Sequence, residues 1–290
     1  MKILFTKMHG TGNDFIIIDE FKKVLIAEKK KPSFVKKISD RHFGVGSDGI
    51  IVVQKSKKND ARFVFYNPDG SRAEMCGNGI RCFAKYLYEH NIVKKNKIVI
   101  ETLAGSITAE LKIKNSKVFR VRVDMGWPRL KRKDIPVAGY PSDTFINKKV
   151  TIEGRIFRIT AVGMGNPHAV IFVKNVDSID VKKDGFVVRY HKKLFPKGTN
   201  VHFVQKIKDN EFRIRTYERG VEDETLACGT GICASAVAVV LNKLADPKKQ
   251  ILFNAIGGDV KIELDYQDNN INRIYLIGPA EEVFSAKIDI

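Results

Sequence analysis

Two short stretches decide the fold of this chain: Cys76-Gly77-Asn78-Gly79-Ile80 and Cys228-Gly229-Thr230-Gly231-Ile232, which share the phrase Cys-Gly-x-Gly-Ile. A helical pattern follows each of them, over 79–89 and 231–244, and the second is almost wholly apolar, as in a buried helix. Short β-branched and aromatic runs fill the sequence on either side. The pattern therefore predicts an α+β fold, in which each half wraps many strands around one central helix that starts at a cysteine.

The repeat extends well beyond the cysteines. Thr11-Gly12-Asn13-Asp14-Phe15 is echoed by Met164-Gly165-Asn166-Pro167-His168, and Phe65-Tyr66-Asn67 by Arg215-Thr216-Tyr217-Glu218. The paired stretches keep their order and lie 151 to 153 positions apart. Because chance matches do not keep a common offset, and the period is too long for a solenoid, the sequence predicts a duplication. We expect two pseudo-symmetric domains with the active site in the cleft between them.

The length of 290 residues is sufficient for two domains, each with its own core. Strand gives way to Met-Gly-Trp-Pro near 124–128, which suggests a junction there. We expect an N-terminal domain over 1–125, joined by the segment 279–290, and a C-terminal domain over 126–278. Each is predicted to be a mostly antiparallel, barrel-like sheet around its helix.

Composition narrows the class of protein. The first ten residues lack the apolar run of a signal peptide, and no stretch reaches the roughly 18 apolar residues that span a membrane. We therefore expect a cytoplasmic protein whose four cysteines are thiols. A zinc site is disfavoured, because the spacings Cys-x5-Cys and Cys-x4-Cys do not fit the usual ligand pattern. The net charge of +18 comes from lysines spread among acids, so a basic surface is favoured over nucleic-acid binding.

A cysteine at a helix start lies in the field of the helix dipole and beside the N–H groups of the first turn. Both favour the thiolate and lower the pKa of the thiol from about 8.5. The following glycines leave room for an anion such as a carboxylate to approach those N–H groups. Two such motifs can clamp one carboxylate and place a sulfur on each face of the adjacent carbon. One thiolate then removes the Cα proton while the other group, as a thiol, delivers one to the opposite face.

Small polar residues lie in glycine-flanked turns around the two motifs. Their matched placement in the two halves indicates a polar lining of the cleft, although each asparagine alone is typical of an ordinary turn. Glu218 and Arg219 offer an acceptor and a bidentate donor for a second ammonium and carboxylate, and His168 is predicted either to support a cysteine or to lie in a turn. The candidates are Asn13, Asn67, Asn166, Asn200, Glu218, Arg219 and His168. No pyridoxal phosphate lysine setting, phosphate-binding loop or dinucleotide fingerprint is evident.

The chain resembles the diaminopimelate epimerase family in five stretches that span nearly its whole length. They are His9–Phe15, Asn67–Gly79, Gly165–His168, Gly198–Asn200 and Glu218–Gly231. The resemblance implies cofactor-independent and metal-independent epimerisation of LL-2,6-diaminopimelate to the meso isomer, in lysine and peptidoglycan precursor biosynthesis. It also implies a homodimer, without nucleic-acid or membrane partners.

By position, the resemblance assigns roles to particular residues. Cys76 and Cys228 match the two catalytic bases, and His168 and Glu218 match positions that support catalysis. The substrate-binding set is Asn13, Asn67, Gly77, Asn78, Asn166, Asn200, Glu218, Arg219, Gly229 and Thr230. The chain departs from the family at Gly49, where many members carry glutamine, so any substrate contact there is lost or made by the backbone.

Two alternative functions stay open at the level of the sequence. A proline or hydroxyproline racemase would use the same pair of thiols, but Asn78, Glu218 and Arg219 favour a substrate with a second charged end. A basic nucleic-acid-binding protein is the non-enzymatic alternative, which a salt titration of binding would detect.

Overall fold

The computed structural model describes residues 2–289, which form eighteen strands and four α-helices. This composition confirms the predicted α+β class. The helices are α1 Lys31–Ser39, α2 Gly77–Glu89, α3 Val181–Arg189 and α4 Gly229–Leu241. The strands are β1 Lys2–Gly10, β2 Asn13–Asp19, β3 Gly49–Gln54, β4 Ala61–Tyr66, β5 Arg72–Ala73, β6 Lys97–Thr102, β7 Gly105–Lys114, β8 Lys117–Asp124, β9 Lys148–Ile152, β10 Arg155–Gly163, β11 Pro167–Phe172, β12 Asn200–Lys208, β13 Glu211–Glu218, β14 Asp223–Thr225, β15 Ile251–Ala255, β16 Gly258–Gln267, β17 Asn270–Gly278 and β18 Glu281–Asp289.

The chain divides into two compact units, Met1–Asp124 with Gly278–Ile290, and Met125–Ile277. Apart from the position of one strand in the sequence, both units have the same order of elements, and the same strand pairings occur in each. In the first unit, β2 and β3 are parallel on either side of α1 in sequence, and β4 and β6 are parallel on either side of α2. In the second unit, β11 and β12 flank α3, and β13 and β15 flank α4, again in parallel pairs. The other pairs described within each unit are antiparallel.

The last strand explains why residues 281–289 have no counterpart in the first half of the sequence. In the second unit, β9 precedes β10 and pairs with it in antiparallel register. In the first unit, the strand that pairs with β1 in the same way is β18, which comes from the end of the chain. The first unit is therefore a permuted copy of the second.

The helices that follow the two cysteines form the centre of each unit. Helix α2 packs against β1, β2, β3, β7 and β8, and helix α4 packs against β10, β11, β12 and β16. From Gly231 to Val239 every residue of α4 is buried, as its uniformly apolar sequence predicts. Each helix is enclosed by the sheet of its own unit, so its first turn has a fixed position.

Helix α3 is absent from the sequence prediction. Its nine residues include Gly185, and a glycine inside a helix costs about 1 kcal/mol relative to alanine. A Cβ atom at Gly185 would lie 2.4 Å from Cβ of Tyr217, so the glycine is required by packing against β13. The tertiary contact overrides the local signal that argues against a helix. Among residues 2–289, no helix is long and apolar enough to cross a membrane.

Candidate functional site

Cys76 is the residue immediately before helix α2. Its backbone is extended, with φ −140° and ψ 116°, and its carbonyl oxygen accepts the first helical hydrogen bond, from Ile80 N at 2.8 Å. The thiol is partly exposed. Its Sγ atom donates to Oδ1 of Asn13 at 3.7 Å, and the same Oδ1 lies 3.2 Å from Nδ2 of Asn78. The first unit therefore brings Cys76, Asn13 and Asn78 together at one helix start.

Cys228 occupies the equivalent position before helix α4. Its carbonyl oxygen accepts from Ile232 N at 2.9 Å, and its backbone is extended, as at Cys76. The residue is buried, and Sγ lies 3.6 Å from the hydroxyl of Thr230. The two thiols thus share a backbone setting but have different polar neighbours, an amide oxygen in one unit and a hydroxyl in the other.

The glycines of the two motifs keep the helix starts accessible. N–H groups of a first helical turn point beyond the helix, and the helix dipole adds partial positive charge there. Gly77 and Gly229 are the first residues of α2 and α4 and present backbone without a side chain. The arrangement at each helix start can bind a carboxylate beside the thiol.

His168 lies in a buried chain of hydrogen bonds in the second unit. Its Nε2 atom is 2.7 Å from Oδ1 of Asn166, and its Nδ1 atom is 2.9 Å from Nε2 of His202. Nδ1 of His202 in turn lies 2.9 Å from the hydroxyl of Thr216. Burial lowers the pKa of His168 well below its ordinary value and the pKa of His202 to about 3. Both rings are therefore neutral at pH 7, and His168 orients Asn166.

Asn200 and Arg219 are joined through the backbone. Oδ1 of Asn200 accepts from Arg219 N at 2.9 Å, and Nδ2 of Asn200 donates to the carbonyl of Pro167 at 2.9 Å. The guanidinium of Arg219 donates to the carbonyl of Lys197 at 3.1 Å. Burial and the nearby charge of Arg189 lower the pKa of Arg219 from its usual range.

The remaining predicted contacts lie in the turns of their own units. Asn67 closes the turn 67–71, with Nδ2 3.0 Å from the Ser71 hydroxyl. Glu218 ends β13, and its Oε2 atom accepts from the Thr225 hydroxyl at 2.9 Å. The substrate-binding and catalytic roles of all these residues stay predictions.

The structure gives a reason for the departure at Gly49. A Cβ atom there would lie 2.4 Å from Cε2 of Phe65 and 2.8 Å from the carbonyl oxygen of Tyr66. The aromatic ring fills the space that a glutamine side chain would need, so position 49 can contribute backbone only.

Four residues near the candidate site are absent from the sequence prediction: Asp48, Arg81, His202 and Glu222. Asp48 accepts from Nδ2 of Asn13 at 2.7 Å, and Arg81 donates to Oδ1 of Asn78 at 2.9 Å. Glu222 accepts from Arg189 at 2.7 Å and from Gly220 N at 3.0 Å, which holds the turn that carries Arg219. Of these four residues, only Arg81 carries a signal in the sequence, because it is a charged residue within a helix that is predicted to lie at the centre of its domain.

Asp14 provides a test of the ionic cluster beside Asn13. Burial raises the pKa of this carboxyl, but hydrogen bonds from Arg41 at 2.7 Å and from Lys7 at 2.5 Å outweigh burial and lower the pKa to about 2. A lowered folded-state pKa stabilises the protein above the unfolded pKa of 3.8, and this contribution is lost as pH falls through about 2.

Asp14→Asn is therefore expected to reduce the free energy of unfolding by about 1–2 kcal/mol at pH 7. The difference from the wild-type protein should shrink below pH 4 and vanish only below pH 2. Urea unfolding at several pH values measures it, with Asp143→Asn in an exposed loop as the control. A difference that does not depend on pH would contradict the ionic assignment.

A family model described as diaminopimelate epimerase matches residues 5–131 and 160–283. A relative named diaminopimelate epimerase from Pelotomaculum thermopropionicum is 46% identical and covers 98% of each chain. Another of that name, from Methanothermobacter thermautotrophicus, is 45% identical and covers 97% of each.

Solved structures show the same fold at low identity. A hydroxyproline epimerase from Agrobacterium vitis superposes with a TM-score of 0.74 at 13% identity, covering 99% of this chain and 91% of the other. A Bacillus anthracis phenazine biosynthesis protein of the PhzF family gives 0.73 at 16% identity, covering 100% of each. Identities this low show a shared fold but do not show a shared reaction.

Proposed function

Since the chain belongs to the diaminopimelate epimerase family, we propose that it interconverts LL-2,6-diaminopimelate and meso-2,6-diaminopimelate. The observation that carries this function is the near-full-length match to relatives of that name. We place the reaction in lysine and peptidoglycan precursor biosynthesis. The proposed reaction uses thiols and backbone groups of the protein and requires neither a metal nor an organic cofactor.

Cys76 and Cys228 are proposed as the two acid/base groups. In one direction a thiolate removes the proton from Cα of the substrate, and the opposing thiol delivers its own proton to the other face. The stereocentre is inverted, and the two sulfurs exchange their protonation states. This mechanism requires both sulfurs to reach one carbon, and it makes their titration a property of the pair.

The carbanion is stabilised through its carboxylate. As the Cα proton leaves, negative charge spreads onto the carboxylate oxygens. We propose that the backbone N–H groups of Gly77, Asn78, Gly229 and Thr230 bind this group, supported by the dipoles of α2 and α4. The two helix starts are fixed by the surrounding strands, so these donors are oriented before the charge develops.

The other end of the substrate carries an ammonium and a second carboxylate. Arg219 is proposed to pair with that carboxylate and Glu218 to accept from the ammonium. Asn67, Asn166 and Asn200 complete the polar contacts, and His168 supports Asn166 through their hydrogen bond at 2.7 Å. Asn13 is assigned to the same set, although its amide also contacts the Cys76 sulfur.

We also propose that the enzyme is a cytoplasmic homodimer. A reducing compartment keeps the catalytic thiols reduced. Strand β18 pairs with β1 and is exposed along most of its length. The exposed apolar side chains here are Leu4 on β1 and Val283 and Phe284 on β18. An edge strand of this kind is commonly covered by another chain, and we propose a second copy. Nucleic acid and membrane are not proposed as partners.

A substrate comparison tests the function directly. The purified protein is incubated with LL-diaminopimelate, and formation of the meso isomer is followed with a meso-specific dehydrogenase. L-Proline and trans-4-hydroxy-L-proline, followed by optical rotation, are the controls. We expect turnover of diaminopimelate at least about 10³-fold faster in kcat/KM, because a site with polar partners for a second charged end rejects ligands that lack it. Faster inversion of proline would replace this proposal with the racemase alternative, which the sequence relatives do not favour.

A further inference from the structure

A line of four polar side chains runs past the Cys76 sulfur in the first unit. It starts at Asp48, whose Oδ2 accepts from Nδ2 of Asn13 at 2.7 Å. Oδ1 of Asn13 accepts from Nδ2 of Asn78 at 3.2 Å, and Oδ1 of Asn78 accepts from Nη1 of Arg81 at 2.9 Å. The Cys76 sulfur joins this line at Oδ1 of Asn13, at 3.7 Å.

The two ends of the line determine its polarity. A carboxylate can only accept hydrogen bonds, and a guanidinium can only donate them. Asp48 therefore requires the NH₂ group of Asn13, and Arg81 requires the oxygen of Asn78. Both amides are then oriented in the same sense, and reversing either one would place two donors or two acceptors in contact.

Both ends are themselves held in place. Arg81 is completely buried and also donates to the Thr11 hydroxyl at 3.1 Å and to the carbonyl of Pro279 at 3.0 Å. Asp48 accepts from Arg41 at 2.7 Å and from Asp14 N at 3.1 Å. The charged groups around the line are thus Arg81 on α2 and the cluster of Lys7, Asp14, Arg41 and Asp48.

The second unit lacks this line at the equivalent positions. Asn78 corresponds to Thr230 and Arg81 to Cys233, at the same places in α4. The counterpart of Asn13 is Asn166, whose Oδ1 lies 2.7 Å from His168. Beside Cys228 is the hydroxyl of Thr230, which can either donate or accept.

We propose that Asp48 and Arg81 are positioning residues for Cys76: by orienting Asn13 and Asn78 they present an amide oxygen to the sulfur, which favours the thiol form of Cys76 over the thiolate. An amide oxygen can accept from S–H but cannot donate to a thiolate. Forming the thiolate at Cys76 therefore loses a hydrogen bond, or requires Asn13 to turn against both Asp48 and Asn78. This inference rests on the assignment of Cys76 as one of the two acid/base groups.

The test measures the alkylation of Cys76 by iodoacetamide as a function of pH, in a Cys228→Ser background. Cys82 and Cys233 are completely buried, so Cys76 is the thiol that reacts in the folded protein. Asp48→Ala removes one of the two restraints on the Asn13 amide, so its NH₂ group can turn toward the sulfur at lower cost, which favours the thiolate. We expect the midpoint of the alkylation profile to fall by about one pH unit, the size expected for one hydrogen bond to a charged group.

Asp14→Asn is the matched control, because it removes a neighbouring negative charge without touching the Asn13 amide. Its midpoint should fall by less than half as much. Asn13→Ala should lower the midpoint as Asp48→Ala does. In the double variant, adding Asp48→Ala to Asn13→Ala should lower the midpoint further by no more than Asp14→Asn does. Asn78→Ala, which breaks the link to Arg81 and leaves the arginine in place, should shift the midpoint in the same direction.

Two results would overturn the proposal: an Asp48→Ala shift no larger than that of Asp14→Asn, or a shift of full size that persists after Asn13→Ala. The alkylation experiment does not need turnover, so it is independent of the substrate assay. If the protein with both thiols turns over diaminopimelate but the alkylation variants give either of these results, only the positioning role is rejected and the proposed function stands. If the positioning role holds, the basic limb of kcat/KM against pH, which reports loss of the Cys76 proton, should move in Asp48→Ala by the same amount as the alkylation midpoint.

Discussion

Cys76→Ala and Cys228→Ala are each expected to lower kcat for epimerisation by at least about 10³-fold, with the fold unchanged. Each thiol serves one face of the substrate carbon, and removal of a positioned acid or base typically costs about 10²–10⁴-fold. Both side chains lie at the starts of α2 and α4, and neither fills a helix interior. The loss should therefore be in kcat, with little change in the free energy of unfolding.

The two other cysteines provide matched controls on the same helices. Cys82 and Cys233 are completely buried, and burial raises the pKa of Cys82 to about 12, so this thiol does not ionise near neutral pH. Cys82→Ala and Cys233→Ala should lower stability modestly through a small cavity and retain most of the activity. Activity above a few per cent in either catalytic variant would contradict the two-thiol mechanism.

Isotope labelling separates two bases from one. In deuterated water the wild-type enzyme should place deuterium at Cα of the product well before it labels the recovered substrate, because the group that removes the proton is not the group that returns one. Early labelling of both isomers at equal rates would indicate a single base that serves both faces.

Gly231→Ala is the second substitution with a large expected effect. A Cβ atom at this position would lie 2.1 Å from Cε1 of His202, a completely buried ring that is fixed by His168 and Thr216. Because the ring is buried and hydrogen-bonded at both nitrogens, the overlap can be relieved only by displacing packed atoms. We expect a net loss of about 2 kcal/mol in the free energy of unfolding, although alanine is the better helix former by about 1 kcal/mol.

The same substitution should reduce activity more than stability alone explains. Displacement of the first turn of α4 moves the Cys228 thiol and the backbone N–H groups beside it, so we expect kcat/KM to fall by about 10²-fold or more. Gly79→Ala is the matched control in the first unit, since its Cβ would lie 3.2 Å from Phe63 and 3.3 Å from Ile51. Urea unfolding and the coupled assay measure both variants. Equal effects at the two glycines would contradict the role given to His202.

Much of the fold could be predicted because its signals are local. The apolar pattern after each cysteine marked α2 and α4 to within three residues at either end. Helix α3 and strand β18 were not predicted as such. Gly185 weakens the local helix signal and is required by packing against Tyr217. The sequence of β18 shows little alternation between apolar and polar residues, because most of the strand is exposed. In both cases a distant part of the chain determined the conformation.

The sequence by itself determined that two thiols start two buried helices, because a cysteine followed by glycines and a helical run is a property of neighbouring residues. Only the tertiary structure decided what each thiol faces. Asn13 is brought to Cys76 by the packing of α2 against β1 and β2, and Asp48 is brought to Asn13 by the parallel pairing of β2 with β3. A hydrogen bond has a direction that depends on both partners, and these partners are distant in the chain. The hydrogen-bonding partner of each sulfur, and whether that partner donates or accepts, is therefore determined only once the strands have paired.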